Sequence, residues 1–205
     1  VAHSERQAAS GKRENIMASV FSRLMTAEEF YDWANSPRNR DKYYELEKGR
    51  PVKVSRPGER HGVVCSNVNG ILWNYTRQKK KGHVCANDSG IVLERDPDTV
   101  RGPDIALYLD KMRFEDLEIK YPERLPKLVV EVLSPTDRQG RMQKRINKFL
   151  DKGVAMAWLL DPDDETVTIF QPNRQPIVRE GDEEIAGLKV LPDFRCKASE
   201  FFVTA

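Results

Sequence analysis

Residues 127–133, KLVVEVL, form an almost uninterrupted apolar run. Such a run suits a central β-strand covered on both faces, and it demands packing layers on either side of the sheet that holds it. One residue breaks the pattern. Glu131 stands on the face shared by Val129 and Leu133, where an isolated carboxylate would carry a raised pKa or a serious desolvation cost. It needs a partner.

A second carboxylate stands at the mouth of another strand-like run. In VRGPDIALYLD, Asp104 directly precedes the apolar residues Ile105 to Leu109. If this strand and KLVVEVL are neighbours, Asp104 and Glu131 point the same way and repel until a divalent cation neutralises them. Oxygen ligands with open water positions suit Mg²⁺ or Mn²⁺. The ordinary alternative is that Asp104 caps a turn and Glu131 pairs with an arginine.

The rest of the chain supplies the covering layers. Thr26 and Glu29 make a capping box before a short helix that carries Phe30 and Trp33, and KYYELEKGRPVKV alternates around a Lys48-Gly49 turn as a hairpin. From His61 to Lys81, Val64, Val68, Ile71, Leu72 and Tyr75 recur at helical spacing, with Gly82 placed as a C-terminal cap. HVCANDSGIVLE reads as strand. A second long helix is expected from Thr136 to Lys152, followed by a hairpin of VAMAWLLD and TVTIF and a short terminal helix in KASEFF. Residues 1–24 read as a disordered extension or an expression remnant, and 25–205 as a single domain. The order describes a mixed α/β domain around one sheet.

Composition narrows the partners. With 34 Lys+Arg against 32 Asp+Glu the net charge is only +2, so affinity for nucleic acid must come from a local patch. Cys65, Cys85 and Cys196 show no paired spacing and read as core residues in a reducing cytoplasm. No apolar run is long enough to span a bilayer.

PDIALYL, VVEVLSP and a helix ending in Gly-Val before WLLDP, taken with MTAEEF, YYELEKG, RHG and LPDFR, resemble the Uma-type endonuclease-like family, formerly a domain of unknown function, in the PD-(D/E)XK nuclease superfamily. The likeness runs from about Met25 to Phe202. It implies a restriction-endonuclease-like core, an α+β mixed sheet flanked by helices. It also implies Asp104 and Glu131 as ligands of Mg²⁺ or Mn²⁺, with Glu45 and His61 as further site residues. His61 at a helix N-terminus would be held neutral by the dipole. The superfamily lysine would fall at Leu133, and the Uma-type pattern moves it to the next helix, where this chain has Arg145 with Lys144 just before it.

Arginine can stabilise a phosphorane but is too basic to exchange a proton, so water activation would fall to the metal. Helical angle places Arg138, Arg141, Arg145, Lys148 and Lys152 on one basic stripe, with Lys144 further from the core. With RQKKK at residues 77–81, that stripe is the expected phosphate-binding surface unless it is simply a solvated face. Two readings follow: a metal-dependent endonuclease that cleaves DNA, or a nuclease fold that has lost turnover and binds nucleic acid or protein. A homodimer would give a duplex cutter its two sites.

Overall fold

In the computed structural model, which describes residues 23–135, 137 and 139–204, the run 127–133 supplies β7 (Leu128–Val132), every residue of which is buried. On one side β7 pairs antiparallel with β6 (Ile105–Tyr108), and on the other it runs parallel to β8 (Met156–Asp161). A parallel pair cannot be joined by a tight turn. Here the crossover is helix α3 (Gln139–Asp151). Among the described residues the helix predicted from Thr136 spans Gln139–Asp151; Thr136 and Arg138 lie outside them.

The full sheet has six strands, in the order β10 (Ile177–Glu180), β9 (Thr166–Phe170), β8, β7, β6 and β3 (His83–Ala86). Its two faces carry separate cores. Leu128, Val130 and Val132 meet Val64, Val68, Leu72 and Tyr75 of helix α2 (Glu59–Lys79), together with Trp158, Phe194 and Phe201. Val129 on the other face packs with Met142, Ile146 and Phe149 of α3. The alternation of β7 thus sorts its side chains between two helices, and Glu131 falls on the α3 side.

One sheet was expected, and the structure builds more. A second, four-stranded sheet has the order β2 (Arg50–Lys53), β1 (Tyr44–Glu47), β5 (Thr99–Arg101), β4 (Ile91–Glu94), and a two-stranded ribbon pairs β11 (Glu184–Ala186) with β12 (Arg195–Lys197). The stretch HVCANDSGIVLE is the reason. Asn87 and Asp88 adopt left-handed conformations (φ 60° and 53°), so the run breaks there and its halves enter different sheets.

Local signals were otherwise followed closely. Helix α1 (Ala27–Ala34) starts with the complete Thr26–Glu29 capping box, and β1 and β2 form the hairpin across Lys48 and Gly49, both at positive φ. Helix α2 starts two residues before His61, and its left-handed cap is Lys80 (φ 50°), not Gly82. Gly82 serves another need: at φ 85° a Cβ there would lie 2.1 Å from the Tyr108 carbonyl oxygen. The KASEFF segment forms a 3-10 turn over Ala198–Phe201. Of the N-terminal extension, only Arg23, ion-paired with Glu29, and Leu24 lie among the described residues.

Candidate active site

The register Ile105↔Val130, Ala106↔Val129 and Leu107↔Leu128, extended by one residue, sets Asp104 directly across from Glu131. Directly opposed residues share a face of the sheet, with Cβ atoms roughly 5 Å apart. The two residues are therefore neighbours at that end of the sheet, and the Asp104 charge is felt at Glu131. Asp104 is further fixed by the Val132 amide, which donates to its Oδ2 at 2.7 Å.

Glu131 also has the arginine partner of the ordinary alternative. Arg145 on α3 donates from Nε to Glu131 Oε1 at 2.7 Å, from Nη1 to Glu45 Oε2 at 2.8 Å and from Nη2 to the Gly102 carbonyl at 2.8 Å. One guanidinium thus ties the helix to both sheets. Glu45 is not a solvated strand residue: it is 9 % exposed, accepts from Arg101 at 2.8 Å and receives the Gly102 amide at 3.0 Å. Arg101 faces Glu45 across the β1/β5 ladder, as the pairing Leu46↔Val100 requires, and also meets Glu47.

These surroundings divide the acids. Burial pushes Glu131 up, to about 8, and the Asp104 and Glu45 charges add to that against the pull of Arg145. Burial also pushes on Glu45, but Arg145 and Arg101 together hold it below the ordinary carboxylate value. The second oxygen of Glu131 accepts no hydrogen bond among the described residues.

His61 lies in the first turn of α2, 7 % exposed, with Nε2 3.3 Å from Asp104 Oδ1 and Nδ1 3.4 Å from Cys65 Sγ. Burial alone would push the imidazole down, as the helix dipole was expected to do. The hydrogen bond and charge of Asp104 outweigh that and raise it. The shift runs opposite to the direction expected from the helix dipole.

These groups share a groove of about 970 Å³. His61, Asp104, Glu45, Glu131 and Arg145 line it, and so does Asp88, which sequence reading missed because ANDSG looked like strand. Asp88 meets solvent at the groove mouth, yet the protein around it pushes its carboxyl up to about 6, with the Asp104 charge adding and Arg145 opposing. Gly102 permits this approach: a Cβ there would lie 2.2 Å from the Asp88 carbonyl oxygen. The clue was Gly102 immediately before Pro103-Asp104.

The basic stripe divides differently from expectation. Lys148 binds Glu47 at 2.6 Å and Lys152 binds Glu94 at 2.7 Å, so both are neutralised within the fold. Arg145 is spent on the two glutamates. Arg141 remains, exposed on the groove rim beside Lys144, with Arg40, Lys42 and Lys53 also in the lining. Arg138 lies outside the described residues. In the RQKKK run, Lys79 pairs with Asp193 and Arg77 stacks over the exposed ring of Trp73.

Among the described residues no helix is long and apolar enough to cross a membrane. The profile of the Uma2 family, described as "Putative restriction endonuclease", matches residues 27–199. A crystal structure described as a "putative nuclease belonging to DUF820" from Anabaena variabilis is similar to this fold with a TM-score of 0.71, at 21 % identity over 87 % of this chain and 97 % of that one. No curated protein gives a match.

Proposed function

The chain belongs to the Uma2 family, and from that membership and the geometry of its groove we propose that it is a metal-dependent phosphodiesterase acting on DNA. The observation that carries this reading is the placement of Asp104 across from Glu131, at the floor of a groove with cationic residues on its rim. Asp104 and Glu131 would hold the divalent cation, Mg²⁺ or Mn²⁺, their oxygens matching the preference of such ions. The donor set fits by its chemistry: both residues line the groove, and each keeps a carboxylate oxygen outside its bond to the Val132 amide or to Arg145. When bound, the cation would supply a lowered pKa for attacking water and charge neutralisation at the phosphate.

The remaining tasks fall to the chain itself. Arg145 sets four of the five N–H groups of a guanidinium against protein acceptors, Glu131, both Glu45 oxygens and the Gly102 carbonyl, which leaves one for the developing charge on a phosphate. His61, with Nε2 3.3 Å from Asp104, is placed to orient that carboxylate. Asp88 is better suited to take a proton from water, because its carboxyl titrates close to neutrality at the groove mouth. Arg141 and Lys144 would hold the DNA backbone without reading bases. Cutting both strands of a duplex would call for two copies of this site, as in a homodimer.

A second reading has a specific observation behind it. Arg145 already gives Glu131 and Glu45 the neutralisation that a cation would give, as expected of a nuclease fold retained for binding alone. Incubation of plasmid and oligonucleotide DNA with Mg²⁺ or Mn²⁺ separates the two. Metal-dependent cleavage, lost in Asp104→Asn while DNA binding is kept, is the result expected of the nuclease. Binding without cleavage under every metal condition would leave the binding module.

A further inference from the structure

We infer that His61, Cys65 and Asp104 form a mixed nitrogen, sulfur and oxygen site that directs the bound cation of this chain toward the Zn²⁺ and Co²⁺ class and away from Mg²⁺. The inference deepens the metal-dependent reading and rests on it only through Asp104, the ligand the two share.

His61 and Cys65 stand four residues apart on α2, so helical geometry stacks them on one face, one turn apart. Asp104 approaches from the mouth of β6, and one donor atom from each of the three residues lies within 4.8 Å of the others. A tetrahedral ion with bonds of about 2.0–2.3 Å needs its ligands roughly 3.5 Å apart. Asp104 now faces Nε2 and Cys65 faces Nδ1, so the imidazole must turn about its Cβ–Cγ bond, and the thiol with it, to bring a single ring nitrogen to that spacing from both.

The supporting contacts favour the same placement. The Val132 amide holds Asp104 Oδ2 and leaves Oδ1 turned to His61, the kind of outer contact that orients a metal ligand. Glu131 gives one of its two oxygens to Arg145, so the carboxylate pair is only partly available to a hard ion. His61 and Asp104 line the groove, whereas Cys65 does not. The thiolate would thus bind from behind, with the fourth position open toward the groove, as in catalytic zinc sites.

Softness sets the preference. Imidazole and thiolate suit Zn²⁺ and Co²⁺, while Mg²⁺ demands oxygen and keeps its waters. Binding would displace to solvent the thiol proton of Cys65 and any proton on the His61 nitrogen that takes the ion. The same three residues resemble a nucleophilic triad, but Cys65 lacks access to the groove, and burial, with the charges of Asp104 and Asp88, pushes its thiol up and away from the thiolate.

The test is an anaerobic titration of the metal-free protein with Co²⁺, read by the thiolate-to-cobalt charge-transfer absorption in the near ultraviolet. The expected result is a saturable band that is lost in Cys65→Ser and in Cys65→Ala, is kept in Cys85→Ser, and is bleached by Zn²⁺ but not by excess Mg²⁺. Thermal melts of the metal-free variants establish that they fold. No thiolate band in the wild type, or an unchanged band in both Cys65 variants, would overturn the inference. DNA cleavage with Mg²⁺ that needs Asp104 but not Cys65, in a protein without the band, would overturn it and leave the nuclease reading standing. The band without cleavage would do the reverse.

Discussion

Arg145 and Glu131 stand 2.7 Å apart, a cation from α3 closing over the one acid in the most buried strand of the sheet. A second arm of the same guanidinium reaches Glu45 in the other sheet, so a single side chain neutralises two buried carboxylates and pins two layers together. Such a pair adds little net stability over an apolar replacement of the whole group, but removing one member leaves charge stranded.

Arg145→Ala is therefore expected to lose about 3–5 kcal/mol of stability. Chemical denaturation of the metal-free protein measures it. Mn²⁺ should recover part of the loss, because the cation takes over the neutralisation of Glu131; an equal loss with and without Mn²⁺ would show that no ion enters beside it.

Arg145→Lys tests the departure from the family pattern. A lysine there keeps the charge but cannot bridge Glu131, Glu45 and the Gly102 carbonyl with one planar fork. Its ammonium can exchange a proton. We expect a smaller stability loss than for alanine and a rise in Mn²⁺-dependent cleavage. Cleavage that falls in the lysine variant would assign Arg145 to stabilising the phosphate.

DNA affinity should follow the free cations and not the whole stripe. No ion pair engages Arg141 or Lys144 among the described residues, whereas Lys148 and Lys152 already have carboxylate partners. The Arg141→Ala, Lys144→Ala double variant should weaken binding across all sequences and reduce the salt slope by about 2, one for each phosphate that the variant no longer neutralises. Lys152→Ala should leave the slope unchanged. Fluorescence anisotropy over a range of salt concentrations distinguishes these outcomes.

The sequence made some of this legible and hid the rest for physical reasons. Burial of Glu131 followed from its place in an apolar run, whereas its position across from Asp104 depended on the two strands being neighbours, a condition that the β6/β7 pairing meets. The capping box at Thr26 and the turn at Lys48-Gly49 are local signals, and both hold. What stayed hidden depends on residues distant in the chain. Nothing near Lys148 or Lys152 shows that Glu47 and Glu94 will meet them, and Asp88 enters the site only because two left-handed residues turn its strand aside. Cys65 looked like core at helical spacing, and it does pack partly against the core; its nearness to Asp104 depends on how α2 meets the sheet.

Trp158 is fully buried on β8 against Phe194 and Phe201, and its indole N–H finds no acceptor among the described residues. An unmet buried donor costs about 1–3 kcal/mol, which offsets much of what the larger ring contributes by packing. Trp158→Phe should therefore change stability by less than about 1.5 kcal/mol, far from the roughly 3–5 kcal/mol of a large-to-alanine change. A loss near the alanine value on denaturation would mean that ring volume outweighs the unmet N–H.

Acid should act on the base of α1 through Glu28. Arg95 donates to both Glu28 oxygens, at 2.7 and 3.2 Å, and to Asp98 at 2.6 Å, while Asp98 accepts the Ala27 amide at the start of the helix. The hydrogen bond from Arg95 pulls Glu28 from its ordinary value of 4.5 down to about 2. Because the folded-state value is depressed, the stabilisation is fully present above about pH 4.5 and is lost as pH falls toward 2. Glu28 is 54 % exposed, so solvent screening limits the contribution to about 0.2–1 kcal/mol. The melting temperature of the wild type should exceed that of Glu28→Gln at pH 7, and the gap should close between pH 5 and pH 2. High salt should narrow it at neutral pH. A gap that stays constant with pH would mean that Glu28 acts through packing and not through its charge on Arg95.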